Sequence, residues 1–550
     1  MRAPTARFSS LAALAGSVCL LLSLAGFAPP APLSSMTLEQ RVAQMFLVTL
    51  HGAQITEVGR DFLQRWQPGG VVLFTSNTGP PRSVANLTNA YQQAITAAGG
   101  PPLLIAIDQE GGIVQRLTDG FTVFPGPMIA AAAGPETARR YGYTIAAELA
   151  AVGVNMNLAP VADLETNLDN PIIRLRAFGS NPQIVGEAIA GAVQGIQDAG
   201  VLATLKHFPG HGDTNQDSHV TLPVLNLSRE RLDAVELVPF RAGIEAGAAA
   251  VMVAHIWYPQ VEPQPNLPAS LSPAVITGLL RDELGFDGLV LTDALDMDAI
   301  DTNFTYEAAA ALAVKAGADM ISSGPGVGLP LAERMIQAVV DAVRAGDIPE
   351  ARIDESARRI LETKRRFGLL DWQPVDAEAA PQRVGTPEHA AVIDELFRAG
   401  VTLAYDRSGL IPLRPEQRVA VAFLATRAQI RHECGQYSDG IRWIGISDAP
   451  SDDEIGWALD AARWADVIVV FTQNAVSNPR QQALVNALPP EKTVVAAIFS
   501  PYDWRAFPGI AGYLLTFSPA RPAVPAVCAA LFGAIPLTGR LPIYLEPGLP

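Results

Sequence analysis

Between Lys206 and His219 the chain reads Lys-His-Phe-Pro-Gly-His-Gly-Asp-Thr-Asn-Gln-Asp-Ser-His, which gathers three of its seven histidines and two aspartates into one loop. A loop of this composition buries little apolar surface. Fixing so many ionisable groups side by side costs desolvation and repulsion, so packing does not account for it and chemistry does. Further along, the apolar run that starts at Gly288 ends in a carboxylate, Asp293. A strand that ends in Asp holds that carboxylate rigidly, which suits a nucleophile or a stabiliser of a developing cation. In Asp217-Ser-His219 the i,i+2 spacing sets both side chains on one side of an extended segment, so the carboxylate can hold one ring nitrogen and aim the other. Such a pair is a general acid/base that works near neutral pH.

Something must bring these segments together. Between residues 35 and 370 short apolar runs alternate with helical patterns, the signature of a parallel α/β arrangement. Eight strands are predicted: Met45 to Leu50, Gly70 to Thr75, Leu103 to Asp108, Val154 to Pro160, Val201 to His207, Ala249 to His255, Gly288 to Asp293 and Ala318 to Ser323. Asp108, Lys206, His207, His255, Asp293 and Ser322 all stand at the C-terminal ends of these runs. That is where a (β/α)8 TIM-type barrel keeps its active site. The competing architecture is a doubly wound open sheet, but its Gly-rich dinucleotide fingerprint is missing. A helix predicted from Asp354 to Phe367, with Ile353, Ala357, Ile360 and Leu361 on one face and arginines and lysines on the other, closes the region. A linker follows at 371–389. Residues 390–550 read as a smaller α/β sandwich domain, with strands at Val419 to Ala425, Ile441 to Ser447, Asp466 to Thr472, Thr493 to Ser500 and Gly512 to Phe517. It carries no cluster like the 206–219 loop and reads as a packing domain.

Composition sets the outer limits. At 550 residues the chain exceeds one ordinary core, and 49% hydrophobic residues can fill two. A net charge of −16 argues against nucleic acid or an anionic membrane as the main partner. Residues 1–34, with Arg2 and Arg7 before an apolar run from Leu11 to Ala28 and then Pro29-Pro-Ala-Pro, read as an export signal or an uncleaved membrane anchor. The expected location is therefore secreted or in the cell envelope. Cys19 falls in that run, leaving Cys434 and Cys528, too few for a disulfide scaffold and of undetermined pairing.

Glycoside hydrolysis needs a nucleophile and a proton donor on opposite faces of a sugar, the donor usually being a second carboxylate. A histidine donor would be an exception. The string KHFPGHGDTNQDSH, the strand end LTDALDM, the segment IAIDQEGGIVQRL, the helix RIDESARRILETKRRFGLL and LFGAIPLTGRLPIYL near the C-terminus closely resemble glycoside hydrolase family 3, in its β-N-acetylglucosaminidase branch. The resemblance implies that Asp293 is the nucleophile of a retaining β-N-acetylhexosaminidase, that His219 is the acid/base and that Asp217 is its partner. It implies that Asp108, Arg116, Arg176, Lys206 and His207 bind the sugar. The substrate expected is a small GlcNAc-terminated glycoside such as a cell-wall muropeptide fragment, and hydrolysis needs no cofactor. Some positions have other readings: Arg174 could replace Arg176, Arg116 could pair with Glu110, Asp293 could cap a helix, Lys206 and His207 could satisfy buried backbone, and His211 could only shape its turn. Two rival activities are a metal-dependent hydrolase using His207, His211 and His219 with Asp213 or Asp217, and a phosphorylase in which phosphate replaces water.

Overall fold

Runs that are apolar at every position, rather than at alternate ones, need burial on both faces, and a parallel sheet covered by helices provides it. The computed structural model describes residues 33–545, so the Leu11 to Ala28 segment lies outside the described residues. All eight predicted barrel strands form: β1 (Phe46–Thr49), β2 (Gly70–Leu73), β3 (Leu104–Ile107), β4 (Met156–Asn157), β5 (Leu202–Phe208), β6 (Ala250–Val253), β7 (Leu289–Thr292) and β8 (Ile321–Ser322). They pair in parallel and in chain order, and β8 returns to β1 through Phe46↔Ile321. The seam between β7 and β8 is lighter, with one bridge at Leu291↔Met320, so the ring is nearly closed. Helices such as Pro135–Ala151, Pro182–Asp198 and Leu329–Arg344 cover the outside, each with an apolar stripe turned inward.

Strand β5 positions the histidine loop. It is buried along its length, and Phe208 packs edge-on against Phe240 with ring centroids 5.3 Å apart. Successive residues of a regular strand face opposite ways. Here the ladder between β5 and β6 shifts register between Leu205 and Phe208, and both Lys206 and His207 line one pocket. Past the strand, Gly212 runs so close to the Leu164 backbone that a Cβ would lie 1.5 Å from its carbonyl oxygen, so only glycine fits.

The closing helix runs Glu350–Arg366, beginning four residues earlier than predicted, and buries Ile353, Ala357, Ile360 and Leu361 as expected. Its basic face is not wholly solvated. Arg352 and Arg359 turn inward to the buried Asp319, which Arg281 also contacts, and Lys364 is fully buried with Nζ donating to Gln44 Oε1 at 2.9 Å. Among the described residues no helix is long and apolar enough to cross a membrane.

The second domain is a six-stranded sheet. The five predicted strands are β10 (Val419–Leu424), β11 (Ile441–Ile446), β12 (Val467–Thr472), β13 (Thr493–Ala497) and β14 (Gly512–Leu515), and an unpredicted edge strand β9 (Thr402–Asp406) pairs antiparallel with β14. The order is β9-β14-β13-β12-β10-β11. Cys434 and Cys528 form a disulfide across this domain. The 371–389 stretch is packed rather than free: Gly385 N and His389 Nδ1 meet the buried Glu148 Oε1 at 2.8 and 2.7 Å. The two domains touch where Tyr502 donates to Glu165 at 2.5 Å, and where Ser180 N donates to Pro542 O at 2.9 Å and Tyr544 N to Ser180 Oγ at 3.1 Å.

Candidate active site

At the C-terminal mouth of the barrel opens a pocket of about 550 Å3. Asp108, Arg116, Arg176, Lys206, His207, His219 and Asp293 all line it. Asp217 stands just behind, with Oδ1 at 2.8 Å from both the Nδ1 and the backbone N of His219. All eight residues named from sequence therefore belong to one site.

Asp293 extends β7, its backbone N donating to Val253 O at 3.0 Å and its Oδ1 accepting from Ala294 N at 2.8 Å. The next helix, Asp298–Asp301, has Met297 as its N-cap, so Asp293 caps nothing. Burial would raise the carboxyl, but His207, His255, the Ala294 amide and Lys206 outweigh it and hold its pKa below the usual value. It is an anion at neutral pH. His255 is buried, with Nδ1 at 2.7 Å from Ser270 Oγ and Nε2 at 2.9 Å from Ala294 O, and so braces the turn that carries the carboxylate.

The same pocket holds a cationic cluster tied together by carboxylates. Lys206, almost wholly buried, places Nζ 2.7 Å from both Asp108 Oδ1 and Glu110 Oε1. Desolvation alone would lower this lysine, yet those two carboxylates leave its pKa raised. Arg176 grips Glu110 with two hydrogen bonds, Nε to Oε2 at 2.9 Å and Nη2 to Oε1 at 2.8 Å. Despite complete burial Glu110 is held well below its ordinary value by Arg176 and Lys206. Arg116 approaches Asp108 instead, at 3.6 Å. The alternative pairing of Arg116 with Glu110 is thus corrected: Arg176 takes that carboxylate. Arg176, not Arg174, lines the pocket.

His207 bonds to a side chain rather than to buried backbone. Its Nδ1 is 2.6 Å from Asp163 Oδ2, and because a carboxylate only accepts, Nδ1 carries the proton and Nε2 faces Arg176 Nη2 at 3.5 Å. Asp163 also takes the backbone N of His207 at 3.1 Å and of His211 at 2.6 Å. His211 does shape the loop, and does so through Ser218: its Nε2 is 2.8 Å from Ser218 Oγ, between the two members of the Asp217–His219 pair. Burial, its largest influence, lowers His211 to about 4, so it is neutral.

Sequence reading did not place Glu110, Asp163 and Asp296 in the site. Glu110 lies two residues past the strand-end Asp108, in the hairpin Gln109–Gly111/Val114–Gln115, and Asp163 three past the predicted end of the fourth strand, so the strand-end signal simply runs further than it was followed. Asp296, three past Asp293, also lines the pocket, its carboxyl raised by burial while Oδ2 accepts from Gly326 N at 2.5 Å. Each loop histidine has its own partner, and among the described residues no three metal-ligating side chains converge. Chemically, the site offers a fixed carboxylate anion, a histidine whose Nε2 is left to exchange a proton, and a dense set of donors and acceptors suited to hydroxyl groups.

Residues 37–363 match the model of the glycosyl hydrolase family 3 N-terminal domain. The chain is 32% identical to beta-hexosaminidase A of Pseudoalteromonas piscicida, over 77% of this chain and 73% of that one. It is 40% identical to a beta-hexosaminidase of Stenotrophomonas maltophilia, over 50% of this chain and 82% of that one. Among solved structures, a glycoside hydrolase family 3 beta-N-acetylglucosaminidase from Paenibacillus sp. superposes with a TM-score of 0.80 at 35% identity, covering 94% of this chain and all of that one.

Proposed function

Because the chain belongs to glycosyl hydrolase family 3, we propose that it is a retaining β-N-acetylhexosaminidase that releases terminal β-linked GlcNAc, with Asp293 as nucleophile and His219 as acid/base. Asp293 attacks the anomeric carbon while His219 Nε2 gives its proton to the departing glycosidic oxygen. A bond from Asp293 to the sugar forms as the bond to the aglycone breaks. Water then enters, His219 takes a proton from it, and the glycosyl ester is hydrolysed with the configuration retained. Asp217 holds the Nδ1 proton and stabilises the imidazolium formed in that second step. Asp108, Arg116, Arg176, Lys206 and His207 bind the sugar hydroxyls, their charges balanced in advance so that little reorganisation is needed. The observation that carries this reading is an ionised Asp293 sharing one pocket with a carboxylate-held His219.

The natural substrates proposed are cell-wall muropeptide fragments, met outside the cytoplasm. The Cys434–Cys528 disulfide supports an oxidising compartment.

Release of nitrophenol from the β-GlcNAc and β-glucose glycosides, in chelator and with or without phosphate, tests the reading. GlcNAc-selective release is expected, falling by a factor on the order of 10⁴ or more in Asp293→Ala. Turnover that persists in the variant would remove Asp293 from its role. Acceleration by phosphate with formation of a sugar phosphate would make the enzyme a phosphorylase, and loss of turnover in chelator would point to a metal.

A further inference from the structure

Asp163, Leu164 and Glu165 are consecutive, and each holds a different part of the molecule. They follow β4 in a run that lies beside the end of β5, where Val161 bridges to Lys206 and Ala162 N donates to Lys206 O at 2.7 Å. The Asp163 carboxylate takes the His207 ring and the His211 amide. The Leu164 carbonyl lies against Gly212, where no Cβ fits. Glu165, also buried, reaches the second domain, its Oε2 accepting from the Tyr502 hydroxyl at 2.5 Å. Tyr502 in turn stands in a braced loop after β13. Tyr513 of β14 donates to Pro501 O at 3.0 Å, Tyr502 N to Ser500 Oγ at 3.3 Å, and Thr472 at the end of β12 to Asp503 Oδ2 at 2.7 Å. A buried phenol between such a loop and a buried carboxylate has little room to move.

We propose that Tyr502 is a positioning residue for the acid/base: through Glu165 the second domain fixes the segment on which the histidine loop rests, and so aims His219. This rests on the glycosidase reading above. The chain of contacts is short. Tyr502 holds Glu165, Asp163 two residues earlier holds the His211 amide at 2.6 Å, and His211 Nε2 meets Ser218 Oγ, the neighbour of His219, at 2.8 Å. The His219 side chain is 59% exposed, so its aim depends on the loop beneath it more than on packing around it. Removing the Tyr502 hydroxyl leaves a buried carboxyl without that donor, and the segment beside it relaxes. Asp293 keeps its place, because it extends β7 through its own backbone bond to Val253. The loss therefore falls on proton transfer and spares the nucleophile.

The experiment measures kcat/KM for phenyl and 2,4-dinitrophenyl β-GlcNAc glycosides in the wild type, Tyr502→Phe, Glu165→Leu, Glu165→Gln and His219→Ala. Phenolate leaves poorly and needs the proton of His219, whereas dinitrophenolate departs without it. The ratio of the two values on one preparation does not depend on how much of the protein is folded. Tyr502→Phe and Glu165→Leu should lose about tenfold on the phenyl glycoside and keep their rate on the dinitrophenyl one. Glu165→Gln, whose amide oxygen still accepts from Tyr502, should keep both. With His219→Ala selectively slow on the phenyl glycoside, equal losses on both substrates in Tyr502→Phe, or none on either, would overturn the positioning role and leave the glycosidase reading intact. A Glu165→Gln loss as large as that of Glu165→Leu would do the same. A His219→Ala ratio equal to that of the wild type, or a wild type that cleaves neither glycoside, would overturn both.

Discussion

His211 belongs to the loop that carries the acid/base but points its Nε2 at Ser218, so the Asp217–His219 pair is anchored from its middle residue. A displacement of about 1 Å in a reacting group can cost on the order of 10²-fold in rate. His211→Phe should therefore lower kcat by roughly that factor with KM little changed, while His211→Gln, whose amide can still meet Ser218, should recover most of it. Equal kcat values for the two variants would show that the bond positions nothing. At this scale the sequence disclosed the site through residue type and place: charged residues at strand ends and a histidine loop with little apolar content. It did not disclose Asp163, whose importance comes from accepting two backbone amides and one ring nitrogen across the barrel mouth. Pairings of this kind depend on which loops meet, as the exchange of partners between Arg116 and Arg176 illustrates.

Among the elements, the eight buried strands were legible because continuous apolar runs bounded by turn residues have few other uses. Strand β9 was not, since Thr402–Asp406 is mostly half-buried and mixes polar with apolar residues, as an edge strand does. Nor did the sequence mark the register shift in β5, which arises from pairing with β6. The helix Glu350–Arg366 misleads in another way: its string of basic residues suggests a solvated face, yet Lys364 points into the protein. Burial lowers Lys364 from 10.5 to about 7. A lysine depressed in the fold contributes stability that is complete above its unfolded value and lost as pH falls towards and through 7. The urea midpoint of the wild type should thus drop between pH 10 and pH 7, and Lys364→Met should flatten that part of the profile. An unchanged slope in the variant would mean that the lysine reaches water.

For the molecule as a whole, the domain contact contains a buried group with the opposite sense. Burial raises Glu165 from 4.5 to about 7, the hydrogen bond from Tyr502 offsetting part of it. A carboxyl raised in the fold contributes stability that is complete below about 4.5 and is lost as pH climbs to and through 7, here on the order of 3 kcal/mol. Thermal unfolding of Glu165→Gln should accordingly lack much of the decline seen in the wild type between pH 4.5 and 7. A decline of the same size in both would assign it to other groups. Residues 540–545 cross back from the second domain to the barrel, where Pro542 accepts from Ser180 and Asn181, four and five positions beyond Arg176. A Cβ on Gly179 would lie 2.2 Å from the Pro542 carbonyl oxygen, so the two segments are fitted closely. During synthesis the barrel's strands leave the ribosome long before this clasp exists. The nascent chain therefore spends the translation of its second domain with the arginine loop unfastened, and that loop is clasped only once residues 540–545 have been made.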